Sequence, residues 1–215
     1  MTLELLFKLS PFDDTFLSGE KLSSFGGAYG AYVMIYEGGK MRLRPYKPCD
    51  AAKIIEWCKD KETYELWGGF IIGDYPITEE ILNDVYINHN GRCTELDNFY
   101  PMTAIDDNEE MVGHFIMRYI NGDKKKLRFG WVIVDAKKRG QHIGQNMLKL
   151  GLKYAFEILG VDKVTLGVFE NNTPAYKCYL STGFHKPSEL PDKYEEINGE
   201  KWLVVELEIK KDDYY

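Results

Sequence analysis

Three cations and two glycines crowd one short stretch. Lys137, Lys138, Arg139, Gly140 and Gly144 lie in "KKRGQHIG", between an apolar run and a long amphipathic one. Backbone N–H groups at a helix start lack intrahelical acceptors, and the helix dipole makes that end attractive to anions. Glycine removes the Cβ that would hold a bulky phosphate away from the backbone. With Gly140 and Gly144 opening it, this turn is a candidate diphosphate cradle, and Lys137, Lys138 and Arg139 add cationic attraction. A plain strand-to-helix turn with solvated lysines is the competing reading of the same spacing. Other phosphate loops fit less well. The chain has no G-x-x-x-x-G-K-[ST], and no G-x-G-x-x-G follows a strand with an acid downstream.

A strand before the cradle and a helix after it must position these groups. "KLRFGWVIVD" reads as the strand, following the polar turn "NGDKKK". Ile143, Met147, Leu150, Gly151, Tyr154 and Ile158 fall on one helical stripe that Gly160 closes. Upstream, "MRLRPY" alternates as a short strand that stops at Pro45. "DAAKIIEWCKDKETYELW" reads as one helix with Asp50 as N-cap, its apolar face made by Ala51, Ile54, Ile55 and Cys58, with Trp57 as a further candidate. "ITEEILNDVYINHN" is a second helix, capped by Thr78 with acids in its first turn. "FYPMTAID" and "MVGHFIMRYI" flank the polar turn "DNEE" as a hairpin. Downstream come a strand "KVTLGVFE", a short helix in "TPAYKCYLSTGF" with Pro174 in its first turn and Gly183 at its end, and a last strand "KWLVVELEI". The order is strand, two helices, three strands, helix, strand, helix, strand, which is an α+β or mixed α/β domain.

The whole-chain numbers bound the reading. With 215 residues, 44% apolar and 28% charged, the chain has the composition of a globular domain with a sizeable core. A net charge of -7 argues against a general nucleic-acid binder. No apolar run reaches membrane-spanning length, no signal-peptide pattern opens the chain, and a cytoplasmic location is expected. Cys49, Cys58, Cys93 and Cys178 are scattered without CxxC or a neighbouring His pair, so reduced thiols and no metal are expected, with Cys178 as a small buried apolar side chain. Residues 1–40 differ from the rest, being rich in glycine and tyrosine without a helical period. Glu37-Gly38-Gly39-Lys40 precedes Met41, and codons for that tetrapeptide readily spell a ribosome-binding site before a start codon. Residues 1–40 are therefore either an N-terminal extension or a mistranslated leader, and residues 41–215 a single domain.

Two segments together resemble the GNAT superfamily of acetyl-CoA-dependent N-acetyltransferases. Its cofactor motif, [RQ]-x-x-G-x-[GA] after a strand, is met by Arg139-Gly140-Gln141-His142-Ile143-Gly144. Its second motif, N-x-x-A-x-x-x-Y-x-x-x-G-F, is met at Asn172, Ala175, Tyr179, Gly183 and Phe184. The resemblance covers at least Lys126 to Phe184, and the opening "MRLRPYKPCDAAKIIEWCKD" is more loosely similar to the branch that includes the ribosomal-protein N-terminal acetyltransferases. His142 departs from the pattern by standing where the family usually has glycine. There a Cβ crowds the turn and an imidazole offers a phosphate donor; pointing to solvent is its other reading.

The resemblance implies a central, mostly antiparallel twisted sheet with one splayed pair of parallel strands, flanked by helices. It implies acetyl-CoA as co-substrate, with backbone groups of Val132, Ile133 and Val134 pairing to the pantetheine arm and polarising the thioester carbonyl. Asn172 would hydrogen-bond the pantetheine or cap a helix. Tyr179 would protonate the departing thiolate, its alternative being to pack on a helix face. In the ribosomal-protein branch a glutamate lies five residues before the motif asparagine. Here that position is Gly167, so the base is open among His114, Glu170 and a water relay. The acceptor, a primary amine of a small molecule or of a protein N-terminus, would meet the segment "TYELWGGFIIGDYPIT", with Trp67, Phe70 and Tyr75 as groove candidates or ordinary packing. No nucleic acid or membrane partner is implied, and the sequence leaves the oligomeric state open, a homodimer being one alternative. A reading from another class is a non-catalytic acyl-CoA sensor of the same fold. A third is a protein that binds some other phosphate ligand.

Overall fold

The computed structural model describes residues 34–35, 41–188 and 193–214. The leader expectation concerns residues that, apart from Met34–Ile35, lie outside these. Among the described residues eight strands form one sheet in the order β1-β2-β3-β4-β5-β6-β8-β7. They are β1 (Met34–Ile35), β2 (Met41–Pro45), β3 (Tyr100–Asp106), β4 (Met111–Ile120), β5 (Asp123–Val134), β6 (Lys163–Phe169), β7 (Lys193–Ile197) and β8 (Glu200–Lys210). Every neighbouring pair is antiparallel except β5 with β6. The fold is the expected α+β class.

Helices α1 (Ala51–Trp57), α2 (Lys61–Trp67) and α3 (Glu79–Asn83) pack on one face around Ile54, Trp57, Tyr64 and Leu82. Helices α4 (Ile143–Lys153) and α5 (Thr173–Ser181) cover the other, burying Met147, Leu150 and Tyr179 against Phe115, Phe129 and Leu166. Helix α6 (Lys211–Tyr214) follows β8. The approach of α4 is close. A Cβ on Gly151 would come within 2.8 Å of the Phe115 ring, and one on Gly113 within 2.7 Å of Met147 Sδ.

Three expectations need correction, and one strand is unforeseen. The single helix from Asp50 to Trp67 is two helices, because Asp60 is extended and its carboxylate accepts the Thr63 amide at 2.7 Å as the cap of α2. Asp50 makes no side-chain cap bond; its carboxylate accepts Arg44 at 2.7 Å and the Thr103 hydroxyl at 2.8 Å instead. Strand β7 is an edge strand reading KYEEI, too polar to show a strand period. The lysines of "NGDKKK" belong to β5, since the turn needs only Asn121 (φ +50°) and Gly122 (φ +70°).

The sheet opens at β5 and β6. Parallel pairing holds only for Lys126–Arg128 against Lys163–Thr165, although both strands continue well beyond. The cause is a bulge. Between the pairs His114↔Ile133 and Ile116↔Gly130, β5 carries one residue more than β4, and Trp131 there sits at φ +46°. An extra residue bends its strand and re-aims the side chains around it. Aromatic packing holds the strained residue: the Trp131 ring stacks on Tyr86 at 5.6 Å and 9°, and its Nε1 donates to Gly68 O at 3.3 Å. Past Arg128, β5 therefore turns an unpaired edge toward β6, while β6 stays fully laddered to β8.

Candidate active site

The cradle begins where β5 ends. Asp135 accepts the Lys137 amide at 2.9 Å and starts a short turn, and Gly140 follows at φ +77° with open space where a Cβ would stand. Helix α4 then starts at Ile143 with His142 as its N-cap residue. His142 adopts φ +61°, the left-handed region that favours glycine, and this explains why glycine is usual at that position. Its imidazole is exposed and its Nδ1 lies 2.8 Å from Gln145 Oε1. The first bond of the helix runs from the Asn146 amide to His142 O. The amides of Ile143, Gly144 and Gln145 thus have no intrahelical acceptor and stand at the positive end of the dipole.

Gly144 also serves the helix packing. Its missing Cβ would lie 3.1 Å from Cys178 Sγ, so this glycine lets α4 and α5 approach each other. Cys178 is half-buried at that contact. Gln145 fastens the same junction, its Nε2 donating to Ser181 Oγ at 2.6 Å. Gln141 is exposed and does not border the cleft described next.

The opened strands and the cradle border one cleft of about 1280 Å³. Val132, Ile133, Val134, Arg139, Gly140, His142, Ile143 and Gly144 line it, together with Asn172 and Tyr179. Asn172 is the N-cap of α5, its Oδ1 accepting the Ala175 amide at 3.3 Å. Tyr179 is 7% exposed and burial pushes its phenol well above the ordinary tyrosine value. The hydroxyl is therefore protonated at neutral pH, and it has no hydrogen-bond partner among the described residues. An open backbone edge, free helix-start amides and a protonated phenol suit a long ligand with amides in its arm and a diphosphate at one end. No group of three or more His, Cys, Asp or Glu that could hold a metal is found among the described residues.

The far half of the cleft has the α1–α3 face of the sheet as its floor. Trp67 and Phe70 line it, but Tyr75 does not; its hydroxyl donates to Lys59 O at 3.1 Å. Arg128 and Glu206 meet there in a bidentate pair at 2.6 and 2.9 Å, 24% and 17% exposed. Gly167 makes that pair fit. It lies opposite Glu206 in the ladder, and a Cβ on it would come within 2.6 Å of Arg128 Nη2. The absent carboxylate at 167 is thus replaced in space by one from β8. Sequence reading misses it because the pairing of β6 with β8 has no local signal.

The two base candidates lie elsewhere. His114 is fully buried outside the cleft lining, its Nε2 3.0 Å from the Tyr86 hydroxyl, and burial lowers it to about 3. Glu170 is exposed and also outside the lining.

Comparison with known proteins gives this geometry a family. The Acetyltransferase (GNAT) domain family matches residues 40–185. Spermine/spermidine N(1)-acetyltransferase of Bacillus subtilis is 34% identical over 74 residues, which span 34% of this chain and 45% of that relative. Among solved structures, spermidine N-acetyltransferase from Vibrio cholerae, in complex with CoA and spermine, superposes with a TM-score of 0.66 at 20% identity, covering 81% of this chain and 97% of the other. A GNAT-family acetyltransferase from Bacillus anthracis gives 0.64 at 17% identity over 84% of this chain and 99% of the other.

Proposed function

The chain belongs to the GNAT acetyltransferase family, and from that premise we propose that it transfers the acetyl group of acetyl-CoA to a primary amine by direct attack. One observation carries the reading: the unpaired edge of β5, the free amides at the start of α4 and the buried phenol of Tyr179 border the same cleft. Val132, Ile133 and Val134 would pair with the pantetheine amides along the open edge, and a backbone N–H near Val134 would stabilise the oxyanion of the attacked thioester. Gly140 and the amides of Ile143 to Gln145 would take the diphosphate, with Arg139 beside them. Gln141 and His142, in the same turn, would complete the contact.

An amine attacks only when neutral, and an alkylammonium has a pKa of about 10.4, so a proton must leave it by way of water or a side chain. The thiolate that departs must gain one. Tyr179 is held protonated by burial, so it has a proton to give the sulfur, and the same burial makes the phenol a weaker acid. The acceptor is an amine of a small molecule or of a protein N-terminus. The relatives named for spermine and spermidine put polyamines among the first acceptors to try.

The test is thiol release from acetyl-CoA with a panel of amines. Wild type releases thiol in step with acetylated product, and Tyr179→Phe lowers kcat by roughly a hundredfold or more while the coenzyme Kd stays the same. A wild type that binds coenzyme tightly yet releases no thiol with any amine would instead make the protein an acyl-CoA sensor.

A further inference from the structure

The acceptor half of the cleft contains a charge arrangement that acetyl transfer alone does not require. Arg118 on β4 and Arg128 on β5 are directly opposed in the antiparallel ladder. Opposed residues share a sheet face with their Cβ atoms about 5 Å apart, and like charges at such a pair are destabilising. Both line the cleft and both are half-buried. Only one is neutralised, Arg128 by the bidentate carboxylate of Glu206. Arg118 makes no hydrogen bond or ion pair among the described residues. Its field reaches Glu95, whose Oε2 accepts Thr94 at 3.1 Å and Asn98 at 3.4 Å, but Glu95 and Arg118 form no ion pair.

A guanidinium kept half-buried beside another, with no acid of its own, fits a ligand that brings the acid. The planar fork of arginine takes a carboxylate with two parallel hydrogen bonds. Trp67 and Phe70 line the same cleft and offer apolar surface to the rest of such a ligand. We propose that the amine acceptor carries a carboxylate and that Arg118 binds it. The inference rests on the acetyl-transfer reading and names the substrate class of that site. It sets this chain apart from acceptors that are purely cationic.

The experiment compares each of a set of amino acids, from glycine to lysine, with the amine left by its decarboxylation, measuring thiol release and product mass with wild type. At least one amino acid should exceed its matched amine in kcat/KM by about tenfold to a hundredfold, the value of charged hydrogen bonds lost with the carboxylate. Arg118→Gln should bring that ratio close to one, mainly through KM, and Arg118→Lys should restore part of it. Release with amines at equal or higher efficiency than with every amino acid overturns the inference and leaves acetyl transfer standing. Coenzyme binding without release from any member of the set or from polyamines overturns the acetyl-transfer reading itself. The wild-type comparison decides the matter even if the Arg118 variants fail to fold.

Discussion

His114 shows how a residue with catalytic chemistry can be assigned to stability by its surroundings. A strand histidine near a cleft is a natural candidate for a base, but full burial holds this one neutral, bonded to Tyr86 and ringed by Tyr46. Its pKa falls from 6.5 to about 3. Between those values the unfolded chain binds a proton that the folded chain refuses, so stability falls as pH drops through that window, with a slope approaching about 1.4 kcal/mol per pH unit for one proton. Asp50 acts in the same direction. Burial raises its carboxyl, but the Arg44 guanidinium, the Lys47 amide and the Thr103 hydroxyl outweigh it and hold it below the ordinary value, so its contribution is also lost in acid. Urea unfolding at neutral and mildly acidic pH should show this loss in wild type, and His114→Phe should flatten it above the carboxylate range. An unchanged slope would mean that His114 already titrates in the folded state. The pH dependence of kcat should not carry the His114 ionisation.

At the scale of elements, what is legible in the sequence follows from how local each signal is. The helix from Ile143 and the glycine-rich entry are readable because stripe and turn chemistry lie within one short stretch. Thr78 caps α3 as its spacing implies, its hydroxyl accepting the Ile81 amide at 3.3 Å. The break at Asp60 is hidden by an apolar pattern that runs across it. The bulge at Trp131 is hidden because its cause is an aromatic stack with Tyr86, forty-odd residues upstream in the chain. The Arg128–Glu206 pair is hidden for the same reason. The glycine turn is therefore readable from its motif, while the Arg128–Glu206 part of the cleft is visible only once the strands are in register. The close seat of α4 gives a test at this scale. Gly151→Val should destabilise the protein by about 1–3 kcal/mol through overpacking against Phe115 and Phe129. It should also weaken coenzyme binding by tilting the start of the helix. A variant as stable as wild type would show that α4 rides more loosely on the sheet.

The whole molecule is acidic, with a net charge of -7, yet its cleft is not. Arg92, Arg118, Arg128, Lys138, Arg139, Lys177 and Lys193 line it against Glu62, Glu195 and Glu206. Lys138 is committed to Asp106 at 2.6 Å and Glu110 at 2.9 Å, so Arg139 and Lys177 are the cations best placed to meet phosphate. An acidic body with a cationic cleft favours an anionic coenzyme in that one place. No described helix is long and apolar enough to cross a membrane. The central claim is that main-chain amides on β5 and at the start of α4 grip the coenzyme. Amide hydrogen exchange with and without acetyl-CoA measures that directly. The account predicts slowed exchange in peptides covering Trp131 to Asp135 and Arg139 to Asn146, with little change in β2 and β3. Coenzyme binding that protects neither peptide would contradict it.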